Sequence, residues 1–199
     1  VAVNPKDTNE MLAASWGGGI VRIVNNRVEE IYDEGSTQGA LTPYVTGGYS
    51  TMRTGAVCFD RQGNAWMTNS LVGNGLVERK KDGSWQAFET YSMVGHKEVD
   101  KMFYDMQNDY IWMLGRENRI YVHNGKDKMA WIDPNNGSRL QTNNVNCMVQ
   151  DLDGEVWLGT DKGIKVIYNS YNVMNNGGNG EKAPTTCSNV VIRDEFDEY

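Results

Sequence analysis

Apolar positions along the chain recur with a period of two, not 3.6. Short β-branched and aromatic runs alternate with polar residues and stop at turn-forming clusters. Lys101-Met102-Phe103-Tyr104, Tyr110-Ile111-Trp112-Met113-Leu114, Arg119-Ile120-Tyr121-Val122-His123 and Met129-Ala130-Trp131-Ile132 follow one another in this way. Such alternation predicts half-buried strands, four of them in this stretch. Asn124-Gly125, between the third and fourth runs, predicts a type I′ hairpin turn, which needs positive φ at both central residues. Asp82-Gly83 and Asn25-Asn26 are expected to close the equivalent hairpins. No segment carries the apolar spacing of an amphipathic helix, so the expected fold class is all-β.

The four-strand pattern repeats. Trp66, Trp112 and Trp157 are spaced at 46 and 45 positions, and each follows an Asp-containing turn: Asp60-Arg61-Gln62-Gly63, Asp105-Met106-Gln107-Asn108 and Asp151-Leu152-Asp153-Gly154. A degenerate first copy has Leu12 in place of the Trp. The turn has a local physical logic. The Asp carboxylate accepts backbone N–H groups just ahead of it, and Gly supplies the left-handed position that closes the turn. The Trp then opens a second strand, where its ring can fill the space between one twisted sheet and the next. A four-stranded unit of this size cannot cover both of its faces, whereas radially stacked units can, which is the β-propeller arrangement. The expected units are approximately residues 1–35, 54–90, 100–134 and 144–199. Four blades stand at the lower limit of propellers, so the chain is expected to form part of a larger one.

The fourth copy, Asp151-Leu152-Asp153-Gly154 through Trp157-Leu158-Gly159-Thr160 to Gly163-Ile164, resembles the two-component-regulator propeller repeat of Bacteroidetes sensor ectodomains and of PorZ-like proteins of the type IX secretion system. Copies two and three depart from the motif, with Met67-Thr68-Asn69 and Leu114-Gly115-Arg116 at the Gly-Thr positions. An Asn- and Gly-rich insertion after Gly163-Ile164-Lys165-Val166-Ile167-Tyr168 and a closing strand through residues 190–199 resemble PorZ-like proteins more than sensors. The resemblance implies a noncatalytic, exported propeller at the cell surface or in the periplasm, with polysaccharide, lipopolysaccharide or secretion-system proteins as partners. The alternative it implies is the ligand-sensing periplasmic propeller of a hybrid two-component regulator. The motif residues are fold determinants and carry no site across.

Composition narrows the chemistry. The 199 residues have a formal net charge of -7, and no cluster of Lys and Arg is present that would displace counterions from a nucleic acid. No apolar run is long enough to span a membrane. Cys58, Cys147 and Cys187 form no zinc or redox spacing; Cys58 and Cys147 are expected to be buried strand thiols. Asp151-x-Asp153-Gly154 has the outline of a calcium loop, but the twelfth position holds Lys162 instead of Glu, so it is expected to be a structural turn. The acidic run Asp194–Glu198 is expected to be solvated, and His123 to be a packed or surface strand residue. No nucleophile elbow, metal-binding helix motif or phosphate loop accompanies His96, so no catalytic residue, metal or cofactor is expected.

Binding is expected instead on loops. In a propeller, the linkers between blades and the loops between second and third strands emerge on one face. The longest linker, residues 35–54, carries Tyr44, Tyr49 and Arg53; a loop of this length in a compact domain is more often functional than not. Tyr91 lies in the second linker and Arg139 in the third, while Trp16 and Arg116 lie in strand-two to strand-three loops. Aromatic rings beside guanidinium groups suit an anionic polysaccharide, by stacking on pyranose faces and pairing with phosphate or carboxylate.

Overall fold

The computed structural model describes residues 1–90, 98–116, 119–132, 138–142, 144–174, 179–182 and 187–190. Its strands form successive four-stranded antiparallel sheets. The first sheet contains β1 (Ala2–Asn4), β2 (Asp7–Ser15), β3 (Gly19–Val24) and β4 (Arg27–Tyr32). A small hairpin, β5 (Tyr44–Thr46) and β6 (Tyr49–Thr51), rises from the first linker. The second sheet is β7 (Val57–Phe59), β8 (Ala65–Thr68), β9 (Leu76–Arg79) and β10 (Trp85–Phe88), and the third is β11 (Val99–Asp105), β12 (Tyr110–Gly115), β13 (Ile120–His123) and β14 (Met129–Ile132). The fourth holds β15 (Val145–Gln150), β16 (Val156–Thr160), β17 (Gly163–Ile167) and β19 (Ser188–Asn189), with a short 3₁₀ turn at Ser170–Met174. Within the span 144–199, β18 (Asn179–Lys182) leaves the fourth sheet and pairs in parallel with β14. Residues 191–199, which hold the whole acidic run and all of the expected closing strand but Val190, lie outside the described residues.

Each sheet packs face to face on the next. One apolar cluster joins the first two sheets through Leu12, Ile20, Tyr32, Phe59 and Met67. A second joins sheets two and three through Trp66, Phe88, Ile111 and Met113, and a third joins sheets three and four through Trp112, Leu114, Val156 and Leu158. This is the packing of propeller blades. None of the three clusters joins the first sheet to the fourth.

The turn before each Trp is built as its residue types predict, with one addition. Asp60 Oδ1 accepts the backbone N–H groups of Gln62 (2.9 Å) and Asn64 (2.8 Å), and Asp60 Oδ2 accepts the Trp66 indole N–H at 3.2 Å. Asp151 repeats this with Asp153 N, Glu155 N and the Trp157 indole at 2.7 Å. The carboxylate therefore folds the turn and also fixes the ring that follows. The third copy has one extra residue between Asp and Trp, and Asp109 absorbs it in a left-handed conformation (φ 59°). There Asp105 binds Gln107 N, Asn108 N and the Gln150 amide of the next sheet, and the buried Trp112 indole N–H has no partner among the described residues.

Several expectations need correction. Asn25-Asn26 has positive φ at both residues, as a type I′ turn requires, but at Asp82-Gly83 and Asn124-Gly125 only the glycine does. The latter hairpin is a longer loop, in which Asn124 Oδ1 accepts the N–H groups of Lys126, Asp127 and Lys128. One capping side chain does what two left-handed residues would have done. Trp66 and Trp112 are buried between sheets, whereas Trp157 is only half-buried. Cys147 is exposed, not buried. Both sit on the outer face of the fourth sheet, where Val149 and Trp157 stand opposite one another. The outer face of the first sheet is also apolar: Val3 opposes Met11, Met11 opposes Ile23, Ala13 opposes Val21, and Val21 opposes Ile31. Val3 and Ile31 remain about half exposed, at 52% and 51%.

Candidate functional site

The described parts of the linkers and the strand-two to strand-three loops share one face, and hydrogen bonds tie them together. The Thr54 hydroxyl reaches the carbonyls of Ser15 (2.8 Å) and Gly19 (2.7 Å), Ser70 N–H donates to the Arg53 carbonyl (2.7 Å), and Arg116 N–H donates to the Glu98 carbonyl (2.8 Å). The β2–β3 loop that carries Trp16 closes at Gly19, whose φ is +81°. A Cβ there would stand 2.1 Å from the Tyr32 carbonyl oxygen, so only glycine fits.

Three of the sequence-derived candidates converge at this point. The guanidinium carbons of Arg53 and Arg116 lie over the Trp16 ring, 5.2 and 4.9 Å from its centroid, within cation–π range. Trp16 thus gathers side chains from the first linker and from the third sheet. The two arginines are not equivalent. Arg116 donates to Glu98 (2.6 Å) and Asp100 (3.3 Å), so two carboxylates already balance its charge. Arg53 has no carboxylate partner among the described residues, and its buried Nε has no hydrogen-bond acceptor. An unpaired buried donor on a charged group is costly unless something else accepts from it.

The other candidates stand apart. Tyr44 and Tyr49 lie on the β5–β6 hairpin, Tyr44 half-buried and Tyr49 78% exposed. Arg139 is exposed in the third linker with φ 59°. Among the described residues no ring contact, ion pair or side-chain hydrogen bond joins these three to Trp16. Tyr91 and His96 lie outside the described residues. Glu98 and Asp100 were not singled out from the sequence, although their placement on either side of Val99, with their side chains on one side of a strand start, was a readable signal.

The rest of the potential chemistry is structural. His123 is buried against Phe88 and Trp66, with ring centroids at 4.8 and 6.4 Å, and accepts the Gly125 N–H on Nδ1 at 3.0 Å. Burial pushes this imidazole down to about 4, against a small opposing pull from Asp127. The hydrogen bond from the Trp157 indole leads the causes that hold the Asp151 carboxyl below its ordinary value, and its oxygens are occupied by the turn. Among the described residues no three His, Cys, Asp or Glu side chains converge as metal ligands, and no helix is long and apolar enough to cross a membrane.

With this geometry in place, comparison with known proteins decides the repeat. Residues 139–162 match the two-component regulator propeller family. The chain is a β-propeller that carries this repeat. PorZ, a surface component of the type IX secretion system of Porphyromonas gingivalis, is similar over 100% of this chain and 28% of its own, with a TM-score of 0.79 at 20% identity. The extracellular domain of a hybrid two-component system, BT3049 of Bacteroides thetaiotaomicron, is similar over 94% of this chain and 23% of its own (TM-score 0.56, 18% identity). That of BT4673 from the same organism covers 98% and 22% (TM-score 0.58, 12% identity). This propeller chain thus spans about a quarter of the length of the solved proteins it resembles. No curated protein sequence matches it.

Proposed function

We propose that this propeller is a noncatalytic binding element of an exported, PorZ-like accessory of type IX secretion acting at the cell surface, and that its linker face takes an anionic polysaccharide. The observation that carries the reading is Arg53: a cation held over the Trp16 ring with no carboxylate partner among the described residues. An acidic group on a sugar would accept from Arg53 while the pyranose face stacks on an exposed ring such as Tyr49. The net charge of -7 repels such a ligand at long range, so recognition is local and moderately salt-sensitive. The higher similarity to PorZ than to sensor domains supports the secretion reading over a sensing one. On this reading added protease should reach the protein in an intact cell, and its deletion should leave secreted cargo unattached.

The binding test is a titration of anionic and neutral polysaccharides against wild type and an Arg53→Ala, Tyr49→Ala double variant. The double variant is expected to bind the anionic polymer about tenfold more weakly, as loss of a charge-assisted hydrogen bond implies. Equal affinity in both proteins overturns the assignment of the linker face. A second reading, a ligand-sensing ectodomain, is supported by the similarity to BT3049. It predicts that deletion changes transcription of a ligand-specific gene set and leaves secretion intact.

A further inference from the structure

A second polar site lies on the opposite face, between the first and second sheets, where the hairpin turns emerge. A cavity of about 220 Å³ opens there beside the β1–β2 turn. Its lining carries four cations, Lys6, Arg22, Arg79 and Lys81, against two carboxylates, Asp7 and Glu10. In a protein of net charge -7 this local excess is against the trend of the whole surface.

The cations are positioned, not scattered. Glu10 is nearly buried, and it accepts from Asn4 Nδ2 and from Arg22 Nε, each at 2.6 Å. Burial alone would raise the Glu10 carboxyl, but these two donors, together with the charges of Arg22 and Arg79, outweigh it and hold the group below its ordinary value. Glu10 is therefore a fixed anion that orients Arg22 through one nitrogen and leaves the two terminal guanidinium nitrogens without a partner among the described residues. The Arg79 guanidinium is held over the Tyr32 ring at 5.5 Å and makes no ion pair or hydrogen bond among the described residues. Lys6 and Lys81 each have a backbone N–H anchored, the first by Asn4 Oδ1 and the second by Asn64 Oδ1, both at 2.9 Å, while their ammonium groups have no partner among the described residues. Gly63 completes the floor. With φ +90°, a Cβ there would be strained and would stand 3.2 Å from Asn4 Oδ1 and 3.3 Å from Lys6 Cγ, so a side chain would crowd two residues of the lining.

We propose that this cavity is an oxyanion site, taking the phosphate or sulfate group of a small molecule or of a sugar, with Arg22, Arg79 and Lys81 as donors. Planar guanidinium forks and an ammonium group match a tetrahedral oxyanion, and the volume leaves room for a few waters beside it. The site is separate from the linker face and does not rest on the reading given to Trp16 and Arg53.

Isothermal titration calorimetry with inorganic phosphate, glucose 6-phosphate and glucose tests it at two salt concentrations. Both phosphates are expected to bind saturably and more weakly at the higher salt, and glucose not to bind. Tighter binding of glucose 6-phosphate than of inorganic phosphate supports the site and names a sugar phosphate as its ligand; equal binding supports it as a site for the free ion. Arg79→Gln should weaken phosphate about tenfold, the loss of one charge-assisted hydrogen bond. Because Arg79 also packs on Tyr32, Lys81→Gln, at an exposed turn position, serves as the second variant and should weaken binding about threefold to fivefold. Arg53→Ala should leave phosphate binding unchanged, which separates this test from that of the linker face. Absence of saturable phosphate binding, glucose binding as strongly as phosphate, or unaltered affinity in Lys81→Gln and Arg79→Gln each overturns the proposal.

Discussion

Acidification should destabilise this propeller through His123 before its carboxylates contribute. Folded, the imidazole is neutral, edge-on to Phe88, with Nδ1 accepting the Gly125 N–H. Protonation would remove that acceptor and place a cation between the second and third sheets. Burial lowers the group from 6.5 to about 4, so its contribution to stability is complete above pH 6.5 and falls as pH drops through the interval to 4. Each pH unit below 6.5 costs about 1.4 kcal/mol, roughly 2 kcal/mol by pH 5 and about 3 kcal/mol at pH 4. Glu78 acts in the opposite sense. Burial raises its carboxyl, so acid relieves a cost there. A His123→Asn variant cancels this background, because Asn Oδ1 can replace Nδ1 as acceptor and does not titrate. Urea unfolding at half-unit steps from pH 7.5 to 5 should show the wild type losing about 2 kcal/mol relative to its value at pH 7, with His123→Asn nearly flat. Parallel pH slopes in the two proteins, or a His123 proton resonance titrating near 6.5, would refute the reasoning.

Other expectations follow from the packing. Trp66→Ala and Trp112→Ala should each cost about 3 to 5 kcal/mol in denaturant unfolding, and Trp157→Ala clearly less, because its ring lies on an outer face; equal losses at all three would contradict the packing described. Gly19→Ala should destabilise by more than Gly83→Ala: both have positive φ, but a Cβ at Gly19 would stand 2.1 Å from the Tyr32 carbonyl oxygen, a backbone atom that cannot swing aside, while Gly83 faces open space. Thermal melts of the two variants check this order. A thiol reagent added to the native protein should modify Cys147 quickly and spare Cys58 and Cys187, whose thiols burial pushes up, that of Cys187 to about 11. Mass mapping that finds Cys58 labelled at the same rate would mean that the core between sheets two and three opens freely.

The repeat of alternating strands, the Asp turn and the following Trp was legible because each is a local matter. Strand period, turn chemistry and the reach of a carboxylate to the next few N–H groups all operate within about ten residues. The shared face of linkers and second loops was also legible, since it follows from how four-stranded blades connect. What only the tertiary structure decided depends on neighbours distant in the chain. Asp105 has the same turn role as Asp60, yet one inserted residue directs it to Gln150 of the next sheet and leaves the Trp112 indole without a partner among the described residues. Arg53 and Arg116 look alike as residues, but Glu98 and Asp100 balance one and not the other. Trp157 carries the same motif as Trp66 and is half-buried, because burial depends on which sheet lies opposite. The cavity around Glu10 and Arg22 draws its second wall from Gly63, Arg79 and Lys81, more than forty positions away, so no periodicity in the sequence could have brought those charges together.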